Sequence, residues 1–156
     1  MEILRRTIQI QFLGLIFFCH IAIADVDLST AINIKDQQNI AQALKKKYQV
    51  FYFWATWCPD CKEKMTSDLS SYESTQVELL SVATDKDREK ILDYLKANKV
   101  SVPVFYDQEK KIQKYFKVFA VPTVILAEKA ENGFKVIYQV SGSDWSELSQ
   151  LVKERK

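Results

Sequence analysis

The sequence predicts an α/β protein whose central β-sheet is mixed and carries helices on both faces. Three observations lead to this fold class. The runs Tyr48–Trp54 and Val77–Ala83 are rich in β-branched and aromatic residues, which is typical of strands buried on both sides. Each run precedes a segment with helical spacing, and parallel strands need such crossover helices. The Asn132-Gly133 pair is typical of a tight turn, which predicts that the second half of the sheet is antiparallel.

The first half of the chain is predicted to alternate helix and strand. Residues 36–47 are predicted to be helical because Ile40 and Leu44 are four apart and Asp36 can cap the start. A helix over 58–72 follows the first strand, and its apolar stripe has spacings of four, four and three residues. That stripe consists of Cys61, Met65, Leu69 and Tyr72. The helix that follows the second strand, over 87–98, turns Ile91, Leu92 and Leu95 inward.

The second half of the chain is predicted to contain the antiparallel strands and the closing helix. The segment from Phe134 alternates apolar and polar residues, which is typical of a strand nearer the edge of a sheet. Ser143 is the predicted N-cap of the last helix. The predicted elements are an extended piece over 102–107, a helix over 109–117, strands over 121–126 and 134–140, and a helix over 143–153.

Length and composition fit one globular domain. The chain has 156 residues, of which 47% are hydrophobic and 27% are charged, and its formal net charge is +2. A charge so close to zero predicts no nucleic-acid partner and no strong electrostatic attraction to membranes. With only three glycines and three prolines, the chain has little capacity for long flexible linkers.

The first 24 residues have the layout of a secretory signal peptide. A basic start, MEILRR, precedes an apolar run over Phe12–Ala24 that closes with the small residues of an Ala-x-Ala cleavage site. The run is shorter than the roughly 20 residues that cross a bilayer. We therefore predict a signal peptide over residues 1–24, a mature domain over 25–156 and a periplasmic location. The alternative is an uncleaved N-terminal segment that anchors the protein.

Cleavage of the signal peptide decides which cysteines the mature protein keeps and therefore which sites they can form. The mature chain keeps Cys58 and Cys61 but no histidine, because Cys19 and His20 are removed with the signal peptide. Disulfides persist in exported compartments. A structural zinc site needs four ligands, so we expect no zinc. Two thiolates still suit copper(I), and a static disulfide is a further alternative, although closing so short a loop removes little chain entropy.

The position of the cysteine pair favours redox exchange. Cys58 falls where a strand gives way to a helix, and the free N–H groups and positive dipole of a helix N-terminus favour a thiolate. Cys61 lies one turn further on, along the apolar stripe, so we expect it to be less exposed. Cys58 would then attack a partner disulfide and Cys61 would resolve the mixed disulfide, with Pro59 tolerated in the first helical turn. The pair itself would be the redox group, with no other cofactor and no metal.

The segment WATWCPDC, residues 54–61, resembles the active site of thioredoxin-fold proteins, most closely the exported TlpA/ResA-like thiol–disulfide oxidoreductases. VELLSVATD, VPVFYD and VFAVPTVIL are similar to later segments of that family, so the resemblance covers roughly residues 48–151. It implies a thioredoxin fold and a cis peptide bond before Pro122, beside the cysteine pair. The substrate-binding residues that it implies are Trp57, Pro59, Val121 and Pro122.

The carboxylates of that family are not where the resemblance would put them. Lys64 stands where the family usually carries a glutamate, Thr66 stands where a proline follows, and Tyr52 stands where thioredoxins bury an aspartate. Glu63 is one position early, and a helical side chain turns by about 100° per residue. The sequence leaves open whether Glu63 or Asp60 replaces the missing carboxylate.

The sequence thus predicts an exported, monomeric enzyme that exchanges electrons with the cysteines of other exported proteins. The resemblance implies a reductase, as in cytochrome c maturation or disulfide repair, that is recharged by a membrane thiol donor. Asp60 agrees with that direction, because its negative charge between the cysteines opposes a thiolate at Cys58. The alternatives are a disulfide oxidase or isomerase, a copper(I) carrier, and a scaffold without enzymatic activity.

Overall fold

A computed structural model describes residues 27–67, 69–100 and 102–155. The predicted signal peptide, with Cys19 and His20, lies outside these residues. The strands are β1 (Ile32–Asn33), β2 (Tyr48–Trp54), β3 (Val77–Ala83), β4 (Val104–Tyr106), β5 (Thr123–Ala130) and β6 (Gly133–Ser141). The helices are α1 (Ile40–Ala43), α2 (Pro59–Thr66), α3 (Arg88–Ala97), α4 (Lys111–Tyr115) and α5 (Ser146–Lys153). Within the described ranges, no helix is both long and apolar enough to cross a membrane.

The strands form a six-stranded sheet in the order β1-β4-β3-β2-β5-β6. β2 and β3 pair in parallel, as do β3 and β4, whereas β1 with β4, β2 with β5, and β5 with β6 are antiparallel. This mixed sheet confirms the predicted fold class, and β6 lies at an edge as predicted. Because β2 and β3 run in the same direction, with Trp54 opposite Ala83, the segments that follow them meet at one end of the sheet.

Both faces of the sheet are covered, because successive side chains of β2 point in opposite directions and nearly all of them are apolar. The cluster on one face includes Val50, Trp54, Met65, Ile91 and Leu148. The cluster on the other face includes Phe51, Phe53, Ile40, Ile112 and Phe116. Burying each such side chain contributes about 1.5–3 kcal/mol. The core therefore fixes β2 from both sides, and β2 in turn fixes the start of α2.

The helix predicted over residues 36–47 is wrong in length, because the backbone at Gln37 interrupts it. Gln37 has a φ of 63°, in the left-handed region that a right-handed helix excludes. Asn39 therefore caps α1 in place of Asp36, through reciprocal hydrogen bonds with Gln42 at 3.1 and 3.2 Å. The apolar positions that the spacing identified are still buried.

The cysteine helix is also shorter than the predicted segment 58–72. Ser67 is extended, with a ψ of 170°, and its hydroxyl donates to the carbonyl of Lys64 at 2.7 Å. Such a side-chain bond competes with the next turn of helix. The chain resumes as a 3-10 turn over Ser70–Tyr72, and Leu69 remains buried as the stripe predicted.

The predicted cap of the last helix is wrong. α5 begins at Ser146, whose N–H donates to the Asp144 carboxylate at 3.1 Å. The Ser143 hydroxyl instead donates to Oδ2 of Asp60 at 3.2 Å. The chain turn between β6 and α5 is thereby tied to the cysteine helix. Asp87, the first residue of the segment predicted to form α3, is the N-cap of that helix.

Candidate active site

The cysteine pair lies at the N-terminus of α2, where β2 delivers the chain. Cys58 and Cys61 form a disulfide with a Cα–Cα distance of 5.2 Å. Cys58 is the N-cap, and its Sγ accepts the N–H of Cys61 at 3.2 Å. Pro59 occupies the first turn, where its missing N–H leaves no helical bond unmade. Cys58 is 5% exposed and Cys61 is fully buried, so the predicted order of exposure holds although both are largely covered.

A buried carboxylate holds the loop that leads to Cys58. The N–H of Thr56 donates to both oxygens of Asp85, at 3.0 and 3.2 Å, and the Thr56 hydroxyl donates to Oδ1 at 2.5 Å. The N–H of Cys58 then donates to the Ala55 carbonyl at 3.2 Å. Charge-assisted hydrogen bonds of this kind are stronger than neutral ones. Asp85 therefore sets the approach of the chain to the reactive sulfur.

Sequence reasoning missed Asp85. The signal that could have identified it is its position, because it closely follows β3 while Thr56 closely follows β2. These strands are parallel neighbours, so polar groups after both strands come together at one end of the sheet.

Two tyrosine hydroxyls hold the first turn of α2. The hydroxyl of Tyr52 donates to the Cys61 carbonyl at 3.0 Å, and that of Tyr94 donates to the Lys62 carbonyl at 3.2 Å. Burial raises the pKa of Tyr52, and the nearby Tyr94 and Asp60 raise it further. Tyr52 therefore keeps its proton and acts as a neutral donor where thioredoxins carry an acid.

The segment before β5 packs beside the cysteine helix. The Val121–Pro122 peptide bond is cis. Val121 is partly buried against the apolar cluster that contains both cysteines. The Thr123 hydroxyl donates to the Ala120 carbonyl at 2.7 Å, and the Gly142 N–H donates to the Pro122 carbonyl at 2.8 Å. The segment is thus fixed by hydrogen bonds on both sides of the cis bond.

A cleft of about 390 Å³, which we call the Trp57 cleft, opens on one side of the cysteine loop. Its lining includes Thr56, Trp57, Asp85, Phe119, Ala120 and Val121. Trp57 is 69% exposed and Phe119 is 92% exposed. The residue before Cys58 and the residue before Pro122 therefore face one common opening. Phe119 was not predicted as a site residue, because a phenylalanine in an apolar segment is typical of core.

A smaller pocket of about 250 Å³, which we call the Asp60 pocket, lies along the helix itself. It is lined by Asp60, Glu63, Lys64, Ser67 and Ser143. The Lys64 ammonium lies 4.7 Å from the centre of the Trp145 ring, a cation–π contact. Glu63 is exposed on the outer face of α2, with no hydrogen bond to either cysteine among the described residues. Asp60 accepts a hydrogen bond from Ser143, and within the described ranges neither carboxylate is hydrogen-bonded to a cysteine side chain.

This junction of strand, cysteine pair and helix also matches known proteins. The sequence model of the thioredoxin-like family matches residues 45–132, more than half of the chain. The chain belongs to the thioredoxin-like family. The matched range includes the cysteine pair, the Asp85 loop and the cis peptide bond, so the family similarity and the geometry concern the same part of the molecule.

Individual thioredoxin-like relatives are distant but agree with one another. The chain is 29% identical over 101 residues to sporulation thiol-disulfide oxidoreductase A of Bacillus subtilis, covering 60% of this chain and 61% of that protein. It is 27% identical over 97 residues to thiol-disulfide oxidoreductase ResA of the same organism, covering 60% of this chain and 54% of that protein. The match therefore spans little more than half the length of these curated relatives.

A solved structure shows the same fold. The crystal structure of StoA from Bacillus subtilis has a TM-score of 0.64 and 24% identity, covering 81% of this chain and 95% of that one. A likeness at this level of identity confirms the thioredoxin-like fold and leaves the activity to be argued from the site.

The structure brings most of the predicted site residues of this thioredoxin-like protein together. Cys58, Pro59 and Cys61 share one helix end, and Trp57 and Val121 line one cleft. Their assignment to catalysis and substrate binding stays a prediction, as does that of the buried Pro122. Within residues 27–67, 69–100 and 102–155, no group of three or more histidine, cysteine or acidic side chains is arranged to hold a metal.

Proposed function

We propose that this protein is a thiol–disulfide oxidoreductase that exchanges electrons with the cysteines of other exported proteins, as a reductase. The observation that carries the proposal is the Cys58–Cys61 disulfide at the start of α2, directly after the exposed Trp57 that lines the cleft. Both curated relatives named above are called thiol-disulfide oxidoreductases, which supports the same activity.

The proposed reaction starts from the dithiol form of the pair. The Cys58 thiolate attacks one sulfur of a client disulfide, so a mixed disulfide forms and the second client sulfur leaves as a thiolate that takes up a proton. Cys61 then loses its proton and attacks Cys58. The Cys58–Cys61 bond forms, the client is released as a dithiol, and two electrons have passed from the protein to the client.

The helix end gives the two sulfurs different roles. The N–H of Cys61 points at Sγ of Cys58 at 3.2 Å, which favours negative charge on that sulfur. Cys61 is fully buried, whereas Cys58 keeps 5% of its surface exposed. Cys58 is therefore the sulfur that meets the client, and Cys61 is the one that releases it.

The direction of electron flow is proposed from charge and compartment. Asp60 lies in the first turn of α2, where its charge opposes a thiolate at Cys58 and favours electron donation. The signal peptide predicted over residues 1–24 would export the protein to a compartment where a membrane dithiol donor restores the reduced pair. Disulfide oxidation or isomerisation is the same chemistry with the opposite or no net flow of electrons.

Trapping tests the proposal directly. Reduced Cys61→Ala protein, mixed with a peptide disulfide, should accumulate a mixed disulfide at Cys58 that mass spectrometry of the intact protein and its fragments locates. The Cys58→Ala protein is the matched control and should give no adduct, while the wild type should turn over insulin in the presence of dithiothreitol. A wild type that is inactive on insulin, together with a Cys61→Ala protein that forms no adduct, would contradict the proposal.

A further inference from the structure

The two most exposed large apolar side chains among the described residues, Trp57 and Phe119, line the same cleft. A phenylalanine that is 92% exposed leaves apolar surface in water, and paired exposures of this kind mark sites of interaction with another molecule. Aromatic side chains are also the ones that most often dominate protein–protein binding.

The segment that presents Phe119 is fixed rather than free. The Val118 N–H donates to the Gln113 carbonyl at 2.9 Å, and the Gln113 side chain donates back to the Val118 carbonyl at 3.2 Å. On the other side, the Thr123 hydroxyl holds the Ala120 carbonyl at 2.7 Å. Because both neighbours of Phe119 are tied down, its ring can bind a partner without a large loss of backbone entropy.

Five lysines surround this aromatic pair. They line the Trp57 cleft and an adjoining groove of about 220 Å³ that shares Phe119 with it: Lys86, Lys90, Lys110, Lys114 and Lys117. None of their ammonium groups has an ion-pair or hydrogen-bond partner within the described ranges. The lysines elsewhere that do form ion pairs are Lys47, Lys96 and Lys111.

The charge around the cleft is balanced only in part. Asp107, a buried carboxylate just behind the lining, interacts electrostatically with Lys110. Two carboxylates line the two openings, and both already accept hydrogen bonds: Asp85 from the cysteine loop, and Asp87 as the N-cap of α3. Five lysines against two aspartates leave the lining with an excess of three positive charges. The whole chain has a net charge of only +2. Lys90 also lies in the first turn of α3, where the helix dipole disfavours a cation. Local stability does not account for this arrangement.

We propose that the clients of this protein present an acidic segment with an apolar side chain next to the cysteine that Cys58 attacks. The apolar side chain packs against Trp57 and Phe119, and the acidic side chains meet the five lysines. This inference rests on the proposed thiol–disulfide exchange and adds the substrate class to it. Electrostatic complementarity of this kind acts mainly on the rate of association.

The test compares peptides that differ only in charge. Each peptide contains one internal disulfide and an adjacent leucine, flanked by glutamate, glutamine or lysine, and the second-order rate of its reduction by the reduced protein is measured. Hydroxyethyl disulfide, which is small and neutral, is the reference substrate. We expect the glutamate peptide to react about tenfold faster than the lysine peptide at low salt, with the ratio approaching one at about 0.5 M salt.

Two variants of equal charge localise the effect. One replaces all five cleft lysines by glutamine, and the matched control replaces five exposed lysines outside the cleft: Lys35, Lys45, Lys99, Lys135 and Lys153. The preference for the glutamate peptide should disappear in the first variant and persist in the second. Phe119→Ala should reduce the advantage of a leucine peptide over its glycine counterpart about fivefold or more, as loss of an apolar anchor does.

The outcomes separate the two proposals. If the wild type reduces hydroxyethyl disulfide but treats the three peptides alike, the substrate class is wrong and the activity stands. Failure to reduce any of the disulfides overturns both. If the lysines instead bind vesicles of phosphatidylglycerol but not of phosphatidylcholine, with no preference among peptides, the surface serves a membrane and the client assignment is overturned.

Discussion

The two sides of the cysteine helix differ in how their charged groups are used. On the Asp60 pocket side, Asp60 accepts a hydrogen bond from Ser143, and Lys64 lies over the Trp145 ring. On the Trp57 cleft side, five lysines have no such partner within the described ranges. Asp85, the buried carboxylate of that side, is committed to the cysteine loop.

Both sides hold the chain near the cysteines, but the cleft side also leaves groups free to contact a partner. Trp145 connects the Asp60 pocket to the core, because the centre of its ring lies 4.7 Å from the centre of the Tyr52 ring. The Tyr52 hydroxyl in turn donates a hydrogen bond to the Cys61 carbonyl. The cleft side holds the loop through a single buried carboxylate and leaves its cations and aromatic rings to solvent. We infer that both sides hold the chain around the reactive sulfur and that only the cleft side also selects what approaches it.

Loss of Asp85 should have the largest effect. Asp85→Ala removes the acceptor of the Thr56 N–H and hydroxyl, so the free energy of unfolding should fall by about 2–3 kcal/mol, as expected for a buried charged acceptor. The rate of disulfide exchange should fall as well, because the loop before Cys58 loses its anchor. Urea denaturation and stopped-flow kinetics measure the two effects.

The matched change on the other side is Ser143→Ala, which removes the exposed hydroxyl that donates to Asp60. Its effect on unfolding should stay within about 0.5 kcal/mol, the usual range for surface positions. Equal losses for the two variants would show that the loop does not depend on its buried carboxylate.

Asp85 also shows what the sequence can and cannot predict. The runs of β2 and β3 were predicted to the residue, because apolar continuity is a local property, and the cysteines were identified by spacing alone. Asp85 acts on Thr56 only after β2 and β3 pair, so a contact between distant segments decides its role. The neighbours of Phe119 are held by hydrogen bonds that span three and five residues of sequence, but the apolar pattern around Phe119 does not distinguish an exposed ring from a buried one.

The helix ends show the same limit at short range. The apolar stripe predicted which residues of the cysteine helix are buried, but the hydroxyl of Ser67 ends α2 earlier than the stripe does. Similarly, Ser143 has the composition of an N-cap, yet its hydroxyl bonds to Asp60 in another element. A capping residue can be predicted only when no competing acceptor lies nearby.

After Asp85, the next largest effects on the free energy of unfolding should come from removing the hydroxyls of Tyr52 and Tyr94. Tyr52→Phe leaves the ring in place and removes the buried hydrogen bond to Cys61, so unfolding should become easier by about 1 kcal/mol. Tyr94→Phe removes the exposed bond to the Lys62 carbonyl, where water can replace the donor, and should cost about half as much. A larger loss at Tyr94 would show that the exposed hydrogen bond, rather than the buried one, holds the first turn of α2.

Two aspartates should give the two sides opposite responses to pH, with changes smaller than those of Tyr52. Burial raises the pKa of Asp107, whose carboxylate accepts the N–H of Gln113 in the cleft wall. The folded state therefore binds this proton at a higher pH than the unfolded state does. Stability contributed by Asp107 should rise as the pH falls through that raised pKa toward the unfolded value.

Asp144 should behave in the opposite way. The hydrogen bond from the Ser146 N–H lowers the pKa of Asp144, so its contribution is present above the unfolded value and is lost as the pH falls through the lowered pKa. Denaturation of wild type, Asp107→Asn and Asp144→Asn as a function of pH measures both slopes. Slopes of the same sign would show that the two carboxylates do not differ as the structure indicates.

The smallest effect is the one that bears on the direction of electron flow. In Asp60→Asn, the first turn of α2 loses a negative charge near the sulfur of Cys58, so the thiolate is better stabilised and the reduction potential should rise. An exposed charge pair is worth about 0.2–1 kcal/mol, which corresponds to about 5–20 mV for this two-electron couple. Equilibration with glutathione buffers measures the change.

Glu63→Gln is the control for that measurement, because it removes the same charge from the exposed face of α2. Its effect on the potential should be smaller, since Glu63 lies beyond the turn that holds the reactive sulfur. An equal rise would mean that overall charge sets the potential, and a fall in Asp60→Asn would reverse the sign of the argument. A larger rise in Asp60→Asn than in Glu63→Gln would show that Asp60 tunes how readily the pair gives up electrons. That effect is independent of the cleft that selects the client.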